Sequence, residues 1–126
     1  MSNKHADSIN NLNRALRALR LAATTPVAEP RDLAGIIKNF EIVYELSWKT
    51  LKRKLENAGH NPSSARSAFE MAFELGWIEN EEIWLAMIAD RNLTVHTYNE
   101  TFAEAMIDRI RNNYLPAYEK LLHYLH

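Results

Sequence analysis

Apolar residues recur three and four positions apart along nearly the whole chain, the period of one buried face of an α-helix. Ile9, Leu12, Leu16 and Leu19 draw such a face on a first helix over about residues 4 to 23, with Arg14, Arg17 and Arg20 on another side. Thr24-Thr25-Pro26-Val27-Ala28-Glu29-Pro30 interrupts the pattern, because both prolines disfavour continuation of a helix. Ile36, Phe40, Val43, Tyr44, Leu51 and Leu55 then form a long stripe on a second helix, which begins at or just before Asp32 and runs to about Ala58. Gly59 follows as its C-cap, after Lys52, Arg53 and Lys54 near the negative end of the helix dipole. Some 27 residues rise to a rod of about 40 Å, long enough to be the central pillar of a bundle.

The remaining segments are shorter. Pro62 suits the first position of a third helix and Asn61 the cap before it. Ala65, Ala68, Phe69, Ala72 and Phe73 are its apolar side, and Gly76 ends it. Asn80, followed by Glu81 and Glu82, caps a fourth helix, whose buried face is Ile83, Trp84, Met87 and Ile88. A fifth starts near Thr101, capped by Asn99 or Thr101, with a stripe of Phe102, Met106, Ile110, Tyr114, Tyr118 and Leu121. Pro116 lies inside that helix and is expected to kink it. Short connections between helices predict an all-α, antiparallel up-and-down bundle of four main helices and a short one, in a single domain over residues 1–126.

Composition narrows the chemistry. Three Gly and four Pro among 126 residues disfavour a turn-rich β fold. A net charge of −1 leaves no global basic signature, so contact with nucleic acid requires a local patch. The absence of cysteine excludes disulfides, thiolate metal sites and cysteine catalysis. The start Met1-Ser2-Asn3-Lys4-His5-Ala6-Asp7 lacks the apolar run of a signal peptide, and no run is long enough to span a membrane, so a cytoplasmic protein is expected. His123 and His126 have a helical metal-ligand spacing without acids or thiols nearby, and no metal or cofactor site is expected.

Candidate chemistry concentrates in Asp90-Arg91-Asn92-Leu93-Thr94-Val95-His96-Thr97-Tyr98-Asn99-Glu100, at the end of the fourth helix. Arginine binds phosphate through a forked, charge-assisted contact, histidine moves protons near neutral pH, and a tyrosine hydroxyl both donates and accepts. The plain alternative is a hydrogen-bonded Arg–His pair at a helix end, with Tyr98 packed on the second helix. Arg91 and Tyr98 lie on nearly one face, about 10 Å apart along an ideal helix, whereas Arg91 and His96 are turned about 140° from each other. Either the helix ends around Leu93-Thr94-Val95-His96, or a second copy of the chain completes the site across a two-fold axis, and both are expected together. Glu41 and Glu45 on the second helix read as surface acids or as the groups that neutralise and orient Arg91.

Arg91-Asn92-Leu93-Thr94-Val95-His96-Thr97-Tyr98 resembles the Arg-x4-His-x-Tyr signature of bacterial HEPN proteins, specifically the nucleotidyltransferase substrate-binding proteins. Phe40-Glu41-x3-Glu45-Leu46-x-Trp48-Lys49-x-Leu51-Lys52 and Ala72-Phe73-Glu74-Leu75-Gly76-Trp77-Ile78 are similar to the same subgroup, so the resemblance covers roughly residues 30 to 100. It implies a homodimeric, metal-independent endoribonuclease toxin whose antitoxin is a minimal nucleotidyltransferase that adds AMP to the motif tyrosine, here Tyr98. In that reading His96 is the acid or base, Arg91 stabilises the phosphate, Asn92 orients the phosphate or His96, and Glu41 and Glu45 support Arg91. The competing expectation is a non-catalytic subunit that binds a nucleotide or substrate for a separate nucleotidyltransferase.

Overall fold

The protein is described here by a computed structural model covering residues 4–95 and 99–126. Its helices are α1 (Lys4–Thr24), α2 (Pro30–Asn57), the short α3 (Ala65–Glu74), α4 (Glu81–Thr94), α5 (Glu100–Arg109) and α6 (Leu115–Leu125), with a π-helical turn, Ile110–Tyr114, joining α5 to α6. Taken as one rod, α5, the π turn and α6 make the fourth long member of an antiparallel bundle. No described helix is long and apolar enough to cross a membrane.

The stripes read from the sequence face inward. Leu12, Leu16 and Leu19 of α1 meet Ile36, Phe40 and Val43 of α2, and all are buried. This is the most extensive helix–helix interface in the molecule. An aromatic column ties the other helices to that pair. Phe40 stacks on Tyr114 at 5.4 Å between ring centroids, Phe69 tilts against Trp84 at 5.0 Å, and Trp84 meets Tyr118 edge-on at 5.7 Å. Arg20, on the outer face of α1, pairs with Glu119 at 2.9 Å.

Local chemistry sets the helix ends. Pro30 opens α2, where its missing N–H has no partner to lose, and Asp32 Oδ2 accepts from the amides of Ala28 and Glu29 at 3.0 Å each. Gly59 and Gly76 have φ of 90° and 78°, and each closes a helix with a paired backbone motif. His60 N donates to Leu55 O and Gly59 N to Glu56 O, while Trp77 N donates to Ala72 O and Gly76 N to Phe73 O.

Three local expectations are corrected. The third helix begins at Ala65 and not at Pro62: Ser64 Oγ accepts from Ser67 N and Ser67 Oγ accepts from Ser63 N, so the serines, not Asn61, form the cap. Asn80 precedes α4 in a left-handed conformation, φ 54°, without a side-chain cap bond. Phe73 is 43% exposed and so lies off the buried side of α3. The disturbance at Pro116 takes the form of the π turn, in which Leu115 N donates to Ile110 O five residues back. A widened turn carries the ring past the carbonyl it would otherwise strike. The same turn sends Arg111 Nε to Ala23 O at 2.6 Å, satisfying a carbonyl at the open end of α1.

Candidate functional site

The end of α4 is held from two sides. Met87 and Asp90 lie three apart on the buried stripe, and Arg91 follows about 100° further round. Arg91 crosses to α2, where its Nη2 stands 3.3 Å from Glu45 Oε1 and its guanidinium carbon 5.9 Å from the Tyr44 ring centre. Glu45 is itself held: its Oε2 accepts from Trp48 Nε1 at 3.2 Å, with Lys49 Nζ at 4.0 Å. The side chain of Arg91 is 33% exposed, while its Nε is buried and has no hydrogen-bond partner among the described residues. The cation is thus oriented by a carboxylate while a third of its side chain stays open to solvent. Burial, reinforced by the neighbouring Glu45 charge, raises the Tyr44 pKa.

Of the two acids expected to support Arg91, Glu45 reaches it; Glu41 makes no ion pair among the described residues. Asn92 points outward and is exposed. The helix ends at Thr94, whose hydroxyl donates to Arg91 O at 2.8 Å, and α5 resumes behind Asn99, whose Oδ1 accepts from Phe102 N at 2.8 Å. His96 and Tyr98 lie outside the described residues. The helix α4 therefore ends between Arg91 and His96, within the stretch where the 140° mismatch calls for it. Among the described residues no three His, Asp or Glu side chains cluster closely enough to hold a metal ion.

Asp90 was not singled out from the sequence. It is buried, and its two oxygens take the Arg109 guanidinium in a forked pair: Nε to Oδ2 at 2.7 Å and Nη2 to Oδ1 at 2.9 Å. The Tyr114 hydroxyl donates to the same Oδ2. The hydrogen bonds that Arg109 donates to Asp90 raise the Arg109 pKa, and burial followed by that same carboxylate raises the Tyr114 pKa. The signal was present, since Trp84, Met87 and Asp90 share one face and a carboxylate on an apolar stripe demands a partner. A separate cavity of about 790 Å³ opens beside the N-terminal end of α4, between Trp77, Ile83, Asn112 and Tyr124, and Arg91 is not in its wall.

A short helix packs into a bundle of four long rods, and an arginine stands where α4 ends. A tri-AMPylated HEPN toxin of Shewanella oneidensis, solved in complex with its MNT antitoxin, has this fold, with a TM-score of 0.79 at 15% identity over 99% of this chain and 98% of that one. The chain belongs to the family described as nucleotidyltransferase substrate binding protein like, whose pattern it matches over residues 7–126. The protein HI0074 of Haemophilus influenzae, solved as the substrate binding domain of a nucleotidyltransferase, superposes with a TM-score of 0.80 at 28% identity over 93% of this chain and 98% of that one. A probable ribonuclease HepT from the same organism is 35% identical over 83 residues, which take in 62% of this chain and 57% of the relative.

Proposed function

We propose that this protein is a metal-independent endoribonuclease toxin, silenced when a partner minimal nucleotidyltransferase transfers AMP to Tyr98. The observation that carries the reading is Arg91, held by Glu45 and one-third exposed at the end of α4, in a chain similar to a probable ribonuclease.

RNA brings its own nucleophile. A base removes the proton of a 2′-hydroxyl, the oxygen attacks the adjacent phosphorus, and the bond to the 5′-oxygen breaks as an acid protonates that leaving group. The products are a 2′,3′-cyclic phosphate and a 5′-hydroxyl. Positioned acid–base groups contribute about 10²- to 10⁴-fold to such a step. His96 is the base or acid, and a homodimer supplies a second histidine for the other proton. Arg91 neutralises the charge that gathers on the non-bridging oxygens, and Asn92, exposed beside it, orients the phosphate or His96.

The test is to incubate the purified protein with RNA in chelator, beside His96→Ala and Arg91→Ala. Wild type cleaves and neither variant does, while both keep the helical circular dichroism and melting transition of wild type. Cleavage that disappears in chelator and returns with Mg²⁺ or Zn²⁺ would overturn the mechanism, and a variant that fails to fold would make its residue structural.

A second reading is favoured by the family's description and by the similarity to a nucleotidyltransferase substrate binding domain. There the protein is a non-catalytic subunit that holds a nucleotide or substrate for its partner, and Arg91 is the phosphate ligand. Wild type that binds a nucleotide yet leaves RNA intact decides for it.

A further inference from the structure

Asp90 and Arg91 are neighbours in sequence and are claimed by different helices. Arg91 goes to Glu45 on α2, and Asp90 goes to Arg109 on α5 and Tyr114 on the π turn. A forked guanidinium–carboxylate pair fixes a plane as well as a distance. With one such pair on one side and an ion pair on the other, α4 cannot roll about its axis without breaking a contact. The Asp90–Arg109 pair also ties α4 to the C-terminal end of α5. The π turn places the third member. It inserts a residue before Tyr114, which re-aims the side chain by about 100° relative to an uninterrupted α-helix. The Tyr114 ring then stacks on Phe40 while its hydroxyl meets Asp90. A buried ion pair adds little net stability over an apolar filling of the same volume; what this one adds is a fixed orientation next to the cation of the candidate site.

We propose that Asp90, acting through Arg109 and Tyr114, is a positioning residue that sets the aim of Arg91. Its consequence for turnover rests on the ribonuclease reading; its geometric content does not. Trp48 reports on the geometry, because its indole N–H donates to the carboxylate that holds Arg91.

The experiment uses the full chain with ¹⁵N-labelled tryptophan, comparing wild type, Asp90→Asn and Tyr114→Phe, with the Trp48 indole peak assigned by its loss in Trp48→Phe. Asp90→Asn is expected to shift the Trp48 peak and leave that of Trp77 in place. In RNA cleavage the same variant loses about tenfold in kcat, the scale of a small misplacement, with KM unchanged. Tyr114→Phe keeps the ring and the Arg109 pair and gives a smaller change in the same direction; it also carries the test if Asp90→Asn does not fold. A folded variant with the Trp48 peak unmoved, or with a lowered Tm and unchanged kcat, overturns the proposal. Wild type that cleaves no RNA overturns the function reading alone, since the indole shift still decides whether Asp90 aims Arg91.

Discussion

The Arg91 guanidinium stands 3.3 Å from the Glu45 carboxylate across the gap between α4 and α2, and Glu45 is pinned in turn by the Trp48 indole at 3.2 Å. The cation is thereby kept in one place by its carboxylate partner. Both side chains are about one-third exposed, so the pair adds at most about 1 kcal/mol to stability. Glu45→Gln keeps an acceptor for Trp48 and removes the charge. It is expected to lower Tm slightly, to lower KM for RNA because Arg91 loses its competing anion, and to lower kcat by about tenfold because Arg91 is no longer aimed. Steady-state cleavage of a short RNA measures both constants. An increase in kcat would show that Glu45 restrains the arginine and does not prepare it.

The buried tyrosines predict how the fold responds to alkali. Burial raises the pKa of Tyr44 and Tyr118, and burial together with the bond to Asp90 raises that of Tyr114. In the unfolded chain these phenols ionise near the ordinary value of about 10. A group whose folded pKa lies above its unfolded one contributes stability fully below the unfolded value and loses it as pH rises beyond. Tm is therefore expected to fall steeply above about pH 10. Phenolate absorbance from these three tyrosines should appear together with loss of helical ellipticity. Tyr118→Phe removes one such group without removing its ring and should move the alkaline transition to higher pH. Ionisation of all three with the helices intact would contradict their burial.

Much of the bundle was legible because a helix with one buried face writes that face into its sequence. Leu12, Leu16, Phe40, Val43 and Leu51 are buried as their spacing required, and Gly59 and Gly76 end helices because a positive φ excludes most other residues. The start of α3 was not legible, since Asn61, Ser63 and Ser64 are all adequate caps and only the bonds from Ser67 N to Ser64 Oγ and from Ser63 N to Ser67 Oγ decide between them. Pro116 announced a disturbance but not the π turn that absorbs it. At the candidate site, Glu41 and Glu45 are one turn apart on the same face, and their spacing says nothing of the height at which α4 crosses α2. Asp90 was readable from its place on the stripe, whereas its partners, Arg109 and Tyr114, depend on the register of the π turn.

The 140° between Arg91 and His96 on an ideal helix leads to a prediction about assembly. With α4 ending at Thr94, the chain can turn His96 toward Arg91, or toward the same groove of a second copy. We expect a homodimer with a composite groove. Light scattering at micromolar concentration should give twice the chain mass of 14.6 kDa. Wild type and His96→Ala, unfolded together and refolded as a mixture, should cleave RNA more slowly than the wild-type share alone accounts for, because mixed dimers hold one histidine where the two proton transfers need two. A monomer with full activity, or a mixture as active as its wild-type share, would leave the site within one chain.

Tyr98 follows His96 by two residues, beyond the end of α4 and just before the Asn99 cap of α5. A hydroxyl there is chemically suited to accept a nucleotidyl group. The phenol oxygen attacks the α-phosphorus of ATP, pyrophosphate leaves, and the phenol proton passes to a base of the transferase. In the proposed reading Arg91, whose side chain is one-third exposed, holds the incoming phosphate. The product carries a phosphodiester charge and a purine into the groove where RNA must lie, so repulsion and bulk both act against substrate. Mixing the protein with its cognate nucleotidyltransferase, ATP and Mg²⁺ should add one or more AMP masses by intact mass spectrometry. The first should map to Tyr98, with cleavage lost in parallel. Tyr98→Phe should stay unmodified and keep cleaving RNA in the presence of the active transferase. If the transferase modifies another residue, or none while remaining active on a control substrate, Tyr98 is a packing residue and weight moves to the binding-subunit reading.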